Sequence, residues 1–461
     1  MKKLVVLFLF ISVEIVAQHS VNPHLFGFRT STAFTFFEMK DTAFVNKVIE
    51  LSPNVLSFPG GLGNFYHLDA PAYGLNVAEI EQHHTGSKPK VANTFNSIAN
   101  KKRHQKNYIY DFITLVQKTN TQVIYNANVL TADPQEVIDV ITLFQNHDID
   151  LIGVELGGEL SNRTYKHIID IDKYIALTKR LAHKIKAQFP ELKIIVVAAP
   201  VHSLKRHTRW NEKLANEHYY DGIVTHSYAK VTKGKDVFGK MIDEQDEGKN
   251  KQEAFDLYKE RALNYFTQSY PKEIQEFSRI FNHKPIWVTE WNLQMSKITG
   301  NTILQGLFVA QYLMELTTNK ELQNIELTTF HNLAGRTISG SMIMMKKNQS
   351  QLLVSYTVMQ MMHEIFASID FSATKQELSD DCFLYTFNAK SKKLQCCINW
   401  SDKEKKLKIN LNQDVTINEF YGNELFSTNK LGETTYNVLY NKNTVACVLK
   451  PYSITLVKYN E

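Results

Sequence analysis

Eight short apolar runs of strand character alternate with amphipathic, helix-like stretches between residues 25 and 366. This alternation predicts a parallel sheet covered by helices, and eight parallel strands are the number that closes a (β/α)8 barrel. A doubly wound open sheet is the alternative, although no Gly-x-Gly-x-x-Gly follows the first run. The predicted strands are Leu25–Phe28, Val55–Phe58, Gln122–Ala127, Leu151–Leu156, Lys193–Ala198, Gly222–His226, Ile286–Glu290 and Ile325–Phe330.

Signals for helix starts accompany this pattern. In Asp133-Pro134-Gln135-Glu136 the aspartate is an N-cap, the proline occupies the first helical position and the glutamate completes a capping box. A helix is therefore predicted to begin at Pro134. Further helices are predicted over Lys166–Phe189, Gln252–Phe281 and Thr302–Thr318.

The pattern changes after residue 366. Short runs of alternating polarity follow, separated by turn residues such as Asn388 and Asn412, and they predict an antiparallel β-sandwich. We therefore predict an α/β architecture, with a (β/α)8 TIM barrel over residues 18–366 and a C-terminal β-sandwich over residues 367–461. Residues 18–24 are a further candidate for pairing with the sandwich.

Four cysteines lie in the predicted sandwich. Two of them are adjacent, so on a strand their side chains point to opposite faces and at most one is expected to face the core. Disulfides and buried free thiols are both compatible with an exported protein. The spacing does not match a zinc site, and we predict no bound metal. The cysteines are Cys382, Cys396, Cys397 and Cys447.

Residues 1–17 have the character of a signal peptide. Lys2 and Lys3 form a charged start, Leu4–Val13 is apolar, and the small Ala17 precedes the expected cleavage point. The apolar stretch is shorter than the roughly 20 residues of a transmembrane helix, and no later segment reaches that length. The sequence predicts an exported protein, periplasmic or secreted, without a membrane span.

The charge balance is mildly basic. The 52 lysines and arginines against 47 acidic residues give a formal net charge of +5, which permits an acidic substrate but does not indicate a nucleic-acid partner. Two predicted loops, Gly60–Lys106 and Ala229–Lys251, leave the C-terminal face of the barrel. Their basic residues either form an ordinary solvated surface or a rim that attracts an anionic glycan. They include Lys101, Lys102, Arg103, Lys230, Lys233 and Lys235.

Two glutamates lie at the ends of predicted strands. Glu159 follows Leu151–Leu156, and Glu290 ends Ile286–Glu290. Because the carboxyl ends of barrel strands meet at one face, both side chains are expected at the same rim. Glycoside hydrolysis needs such a pair, since one carboxyl protonates the leaving oxygen and the other attacks the sugar or activates water. A surface salt bridge or a helix cap is the ordinary alternative for either glutamate alone.

The surrounding segments resemble a known clan. Val154-Glu155-Leu156-Gly157-Gly158-Glu159 resembles the acid/base motif of the retaining (β/α)8 glycoside hydrolases with catalytic glutamates on strands four and seven. Trp287-Val288-Thr289-Glu290-Trp291 resembles their nucleophile strand. Ser57-Phe58-Pro59-Gly60-Gly61 is similar to a segment after strand two in α-L-arabinofuranosidases and heparanase-like β-glucuronidases. The resemblance implies that Glu159 is the acid/base and Glu290 the nucleophile.

Two positions depart from the motifs of the clan. The usual Asn before the acid is Gly158, and the usual Arg of the strand-two segment is Ser57. The resemblance implies that the first change removes a ligand for the 2-position of the sugar and opens space there. The second change is expected to weaken support for an ionised nucleophile.

Further residues at the ends of predicted strands are candidates for substrate binding. A loop-capping role is the alternative for Asn128, and packing at the barrel mouth is the alternative for Trp291. Trp210 and Trp400 are assigned to the core. The candidate substrate-binding residues are Asn128, Gly158, His226, Tyr228, Trp291 and His331.

These observations together predict an exported, retaining O-glycosyl hydrolase that degrades a poly- or oligosaccharide and uses no cofactor. The predicted partner is a carbohydrate, and an acidic carbohydrate is one option. A carbohydrate-binding protein on an inactive barrel is the alternative, motivated by Gly158 and Ser57. Turnover of a glycan, as opposed to binding alone, distinguishes the two.

Overall fold

The computed structural model describes most of the chain. The predicted signal peptide and four of the basic loop residues, Lys101, Lys102, Arg103 and Lys233, lie outside the described ranges. Within those ranges, no helix combines the length and the apolar content that crossing a bilayer requires. The described ranges are residues 19–30, 33–60, 63–83, 104–201, 204–232, 234–235, 241–242, 251–346, 349–367, 370–410, 413–428, 431–439 and 444–459.

Eight parallel strands close into a barrel, which confirms the predicted fold. The last strand closes on the first through the pairs Thr329–Gly27 and Phe330–Phe28. The sixth and seventh strands continue further into their loops than predicted. In chain order the strands are β1 (Gly27–Arg29), β2 (Val55–Phe58), β3 (Gln122–Ala127), β4 (Leu151–Leu156), β5 (Lys193–Val197), β6 (Gly222–Ala229), β7 (Ile286–Leu293) and β8 (Ile325–Phe330).

Helices cover the outside of the barrel. The Asp133 side chain accepts a hydrogen bond from Gln135 N at 2.7 Å, which confirms that the helix Pro134–Asn146 begins where predicted. The helix Ile303–Thr318 is buried on nearly every side because the C-terminal sheet packs against it. Trp210 and Trp400 are core residues, as predicted. The helices are Ala33–Phe36, Thr42–Leu51, Val77–His83, Ile109–Thr119, Pro134–Asn146, Ile171–Gln188, Lys205–Ala215, Lys251–Asn264, Tyr270–Ile280, Ile303–Thr318 and Val354–Met362, with a π-helical turn at Tyr265–Ser269.

An antiparallel sandwich follows the barrel, as predicted. A seven-stranded sheet packs one face on the barrel helices and the other on the two-stranded sheet of Lys405–Asn410 and Thr444–Leu449. The strand His19–Ser20 joins the edge of the large sheet by pairing with Ser372–Ser379. In sheet order the large sheet contains His19–Ser20, Ser372–Ser379, Cys382–Asn388, Lys393–Asn399, Ser453–Tyr459, Val415–Gly422 and Leu431–Val438. Small sheets elsewhere pair Gly234–Lys235 with Met241–Ile242, and Ile343–Lys346 with Ala334–Gly335 and Gln349–Leu352.

The adjacent cysteines correct one expectation. Cys396 lies in the core that the sandwich shares with the barrel, and Cys397 lies in the core between the two sheets of the sandwich. Their side chains do point to opposite faces, but both faces of this sheet are covered, so both thiols are buried. All four cysteines are buried free thiols, with 3.8 Å between the Sγ atoms of Cys382 and Cys397.

His67 attaches the long loop after β2 to its neighbours. Its Nδ1 lies 3.0 Å from Glu136 Oε2 on the helix after β3, and its Nε2 lies 3.0 Å from Glu79 Oε2 within the loop. The hydrogen bond with Glu136 raises the pKa of His67 to about 9, although burial opposes the rise and Glu79 adds to it. A protonated His67 therefore joins two segments of the same rim.

We expect the substitution His67→Gln to lower the free energy of unfolding by about 1–2 kcal/mol near pH 6, after allowance for solvent screening. The folded pKa lies above the ordinary value of 6.5, so this stabilisation is complete below 6.5 and is lost as the pH rises through about 9. Urea unfolding at about pH 6 and about pH 9.5 measures the difference. The exposed His218 provides the control variant His218→Gln, and equal losses for His67→Gln at both pH values would contradict the assignment.

Candidate active site

Glu159 and Glu290 face each other across the barrel mouth. The Glu290 side chain, within β7, is 12 % exposed, whereas that of Glu159 is 50 % exposed. Their nearest carboxylate oxygens lie within 4.8 Å of each other. The turn after β4 that positions Glu159 needs a glycine at Gly157, because φ is +89° there and a Cβ would lie 2.5 Å from the Leu160 side chain.

His226, on β6, contacts both glutamates. Its Nδ1 lies 3.0 Å from Glu159 Oε1 and 3.6 Å from Glu290 Oε2. Burial lowers the pKa of His226, but Glu290 and Glu159 together raise it above its ordinary value. The imidazole Nδ1 therefore lies between two carboxylates that both favour the protonated form of the ring.

Several groups stabilise the ionised form of Glu290. The Tyr228 hydroxyl donates a hydrogen bond of 2.6 Å to Glu290 Oε2. Burial raises the pKa of Glu290, but His226, His331 and Arg29 together lower it well below its usual range. The same carboxylate raises the pKa of Tyr228, which burial raises most. Glu290 is thus a desolvated carboxylate that stays charged, as a nucleophile requires.

The arginine beside Glu290 comes from β1, and sequence analysis missed it. Arg29 Nε lies 2.9 Å from Glu290 Oε1, and the residue is 1 % exposed. Arg29 is the direct β-sheet partner of Ser57 on β2. Ser57 was expected to weaken support for an ionised nucleophile, and the neighbouring strand supplies a guanidinium at that place. The signal in the sequence was a cation at the end of the first apolar run.

A second buried carboxylate, that of Glu155 on β4, also forms an ion pair with this arginine. Arg29 Nη1 lies 3.7 Å from Glu155 Oε2. Glu155 also accepts hydrogen bonds from Thr289 Oγ1 at 2.5 Å and from Asn126 Nδ2 at 3.2 Å. Arg29 is therefore held between Glu155 and Glu290, which orients its planar guanidinium toward Glu290. No local pattern around Glu155 in the sequence distinguishes this buried role from that of an ordinary strand residue.

Gly158 lies at the mouth as predicted. The Asn64 side chain fixes its backbone, donating to Gly158 O at 2.7 Å and accepting from Gly158 N at 2.8 Å. A Cβ at Gly158 would lie 3.3 Å from Asn126 Nδ2 and 3.9 Å from Arg29 Nη2. A side chain at Gly158 would therefore crowd Asn126 close to the guanidinium that contacts Glu290, so the glycine does not leave the open space that was expected.

Two predicted substrate ligands lie away from the open mouth. Trp291 is 1 % exposed and stacks on Tyr312 with 3.9 Å between ring centroids, because its side chain points outward from β7, opposite to Glu290. Asn128 is also buried, and its Oδ1 accepts from the backbone of Leu130 and Thr131. Both residues have the packing and loop-capping roles that were the alternatives.

His331 completes the set around Glu290. Its ring lies 6.1 Å from that of Tyr228 at nearly a right angle, and burial lowers its pKa, with partial compensation from Glu290. His331 Nδ1 and Asn126 Oδ1 are buried and have no hydrogen-bond partner within the described chain. Buried polar atoms are normally paired, so these two atoms lack the partners that such atoms usually have.

Two groups of side chains have the spacing of metal ligands. Glu159, His226 and Glu290 form one, and His67, Asp69 and Glu136 form the other, each with its ligand atoms within 4.8 Å. In each group an imidazole nitrogen and a carboxylate oxygen already lie at hydrogen-bond distance. The first group has the residue types that acid–base and nucleophilic chemistry uses.

Known proteins resemble this chain in fold and not in sequence. No protein-family model matches the chain, and no curated protein sequence matches it either. Among solved structures it is similar to a family 51 α-L-arabinofuranosidase from Bifidobacterium longum, with a TM-score of 0.68, 12 % identity and coverage of 96 % of this chain and 97 % of that one. An α-L-arabinofuranosidase from Thermotoga maritima gives 0.66 and 13 %, with coverage of 96 % and 98 %. A 4-O-α-L-rhamnosyl-β-D-glucuronidase from Fusarium oxysporum gives 0.58 and 12 %, with coverage of 95 % and 97 %. At such low identity the likeness concerns the fold, and the chain has the barrel-and-sandwich fold of these glycosidases.

Proposed function

We propose that the protein is a retaining glycoside hydrolase. The observation that carries the proposal is the spacing of Glu159 and Glu290, whose nearest carboxylate oxygens lie within 4.8 Å. Retaining enzymes hold their two carboxyl groups about 5–5.5 Å apart, whereas inverting enzymes need about 6.5–9.5 Å to admit a water molecule. The spacing therefore supports a covalent glycosyl-enzyme.

The surroundings of each glutamate support its role. Glu290 is buried, ion-paired with Arg29 and ionised, so it is the nucleophile. Glu159 is half exposed at the open side of the mouth, where a leaving group departs, so it is the acid and then the base. His226 and Tyr228 orient the pair, and we propose that they contact the sugar together with His331 and Gly158.

The substrate class follows from the same site. Neighbours in fold act on arabinofuranosides and glucuronides according to their names, and the polar mouth suits a sugar. We propose that the chain, exported through its N-terminal signal, acts on an oligo- or polysaccharide. The alternative of a binding protein on an inactive barrel has lost one of its supports, because Arg29 supplies the cation that Ser57 lacks.

Product analysis tests the proposal. The assay uses 4-nitrophenyl glycosides of L-arabinofuranose, D-xylose and D-glucuronic acid, followed by a panel of polysaccharides. Proton NMR of the first product should show the same anomeric configuration as the substrate. A product of inverted configuration would exclude the covalent mechanism, and binding without release of sugar across the panel would support the binding protein.

Arg29→Met provides a further prediction. The change leaves Glu155 and Glu290 without their shared cation, so we expect a loss of about 3–5 kcal/mol of stability. Because Arg29 helps to lower the pKa of Glu290, its removal raises that pKa, and the acidic limb of the pH–rate profile moves to higher pH. Urea unfolding and the pH dependence of kcat/KM measure the two effects.

The control for Arg29→Met is Arg209→Met. Arg209 forms an exposed ion pair with Asp172, so this variant should lose less than about 1 kcal/mol and keep its pH profile. An unchanged acidic limb in Arg29→Met would show that the arginine has only a structural role.

A further inference from the structure

A cavity of about 320 Å³ opens beside Glu159, next to the catalytic pair. It lies between the ends of β4, β5 and β6. Glu159 and His226 form its inner end, and neither Glu290, Arg29 nor Tyr228 is among its described lining residues. Its volume lies at the lower end of the roughly 300–1,000 Å³ that ligand pockets occupy, which is enough for a group of about one ring.

The position of the cavity identifies which part of a substrate it receives. The acid Glu159 must lie next to the oxygen that leaves, and the nucleophile Glu290 must lie on the opposite side of the reacting carbon. A cavity that shares Glu159 but not Glu290 is therefore on the side of the leaving group.

The lining of the cavity has two chemical parts. One wall is aliphatic and contains Val197, Ala198, Pro200 and Leu204. Such a wall suits the C–H face of a ring. The other part is polar and contains Ser161, Asn162, His207 and Thr225, with Arg163 exposed at the rim. The guanidinium of Arg163 has no hydrogen bond or ion pair with any residue that the structure describes. An unpaired guanidinium beside an apolar wall is suited to an anion that presents two acceptor oxygens, as carboxylate and sulfate both do.

We propose that this cavity binds the released sugar, that this sugar is about one ring in size at the site of contact, and that it carries a carboxylate or sulfate group recognised by Arg163. The proposal rests on the proposed glycosidase function and adds the chemistry of the leaving group. The same cavity would also bind an acceptor that attacks the glycosyl-enzyme in place of water, because transfer is the reverse of leaving-group departure.

Interception of the glycosyl-enzyme tests the cavity directly. Glycosyl fluorides of the three sugars named above serve as donors, because fluoride is too small to need the cavity. The acceptors are methyl glucoside, methyl glucuronide and methyl glucoside 6-sulfate. The ratio of transfer product to hydrolysis product should be higher for an anionic acceptor than for methyl glucoside, and Arg163→Gln should reduce that preference about fivefold.

Two variants make the test specific. Lys166→Gln removes the same charge from an exposed position three residues away that does not line the cavity, so it should keep the preference. Ala198→Leu fills part of the cavity and should lower the ratio of transfer product to hydrolysis product for all three acceptors. If only one of the two anionic acceptors is preferred over methyl glucoside, its charged group, carboxylate or sulfate, is the one that Arg163 recognises.

The outcomes separate the two proposals. If no donor releases fluoride, the glycosidase function fails, and the cavity assignment fails with it. If fluoride is released but neutral and anionic acceptors are used equally by the native protein, only the cavity assignment fails. Equal losses of the preference for anionic acceptors in Lys166→Gln and Arg163→Gln would also overturn the cavity assignment. The preference would then come from the overall positive charge of the surface and not from a contact with Arg163.

Discussion

Glu290→Gln is expected to reduce glycoside turnover by at least ~10⁴-fold on every substrate, including those with excellent leaving groups. The amide keeps the size of the side chain but cannot attack the anomeric carbon. It also cannot balance the charge of Arg29, which lies 2.9 Å from the native carboxylate. Initial rates with 4-nitrophenyl glycosides and mass spectrometry of the trapped glycosyl-enzyme measure the loss.

The control for this variant is Glu326→Gln, which removes a carboxylate near the start of β8, at the opposite end of the barrel. Its turnover should match that of the native protein. Retention of more than a few per cent of the activity in Glu290→Gln, after correction for contaminating native enzyme, would show that Glu290 is not the nucleophile.

Glu159→Ala is expected to lose about 10²–10⁴-fold on substrates with poor leaving groups, the usual contribution of a general acid. With dinitrophenyl glycosides, whose leaving groups need little protonation, the glycosyl-enzyme should form at a nearly normal rate. Its hydrolysis should be slow, because the base that activates water is missing. The side chain is half exposed, so a small anion can enter the space that it leaves.

Added azide should therefore restore turnover of the dinitrophenyl glycosides by Glu159→Ala and yield a glycosyl azide of retained configuration. Glu290→Gln should give no such product. Identical responses of the two variants to leaving group and to azide would contradict the division of roles.

The sequence predicted the barrel because each strand is short, apolar and followed by a helix signal. It also predicted that Glu159 and Glu290 meet, because the topology of a barrel carries both strand ends to one face. It did not predict Arg29, since β1 and β7 are distant in sequence and become close only when β8 closes the barrel. The pairing of Arg29 with Ser57 likewise depends on register, which no local pattern encodes.

The burial of Trp291 and Asn128 has a simpler physical cause. Side chains alternate along a strand, so the residue after an inward-facing Glu290 must point away from the site. Applying that rule to Trp291 would have placed it in the helical layer, where it stacks on Tyr312. Asn128 lies just beyond β3, where an asparagine commonly accepts from the backbone of the following turn.

The strand His19–Ser20 has a consequence for how the molecule assembles. Its partner strand lies beyond the whole barrel sequence, with His19 opposite Ala373. This pairing encircles the barrel domain in one closed loop of chain, and loops of that length are entropically costly to close. The helix Ile303–Thr318 would expose an apolar outer face if the sandwich detached. The barrel and the sandwich therefore act as one cooperative unit, and the sandwich cannot be removed without disturbing the barrel. The strand His19–Ser20 is synthesised first, but it can pair only after its partner strand, which follows the barrel, has been synthesised.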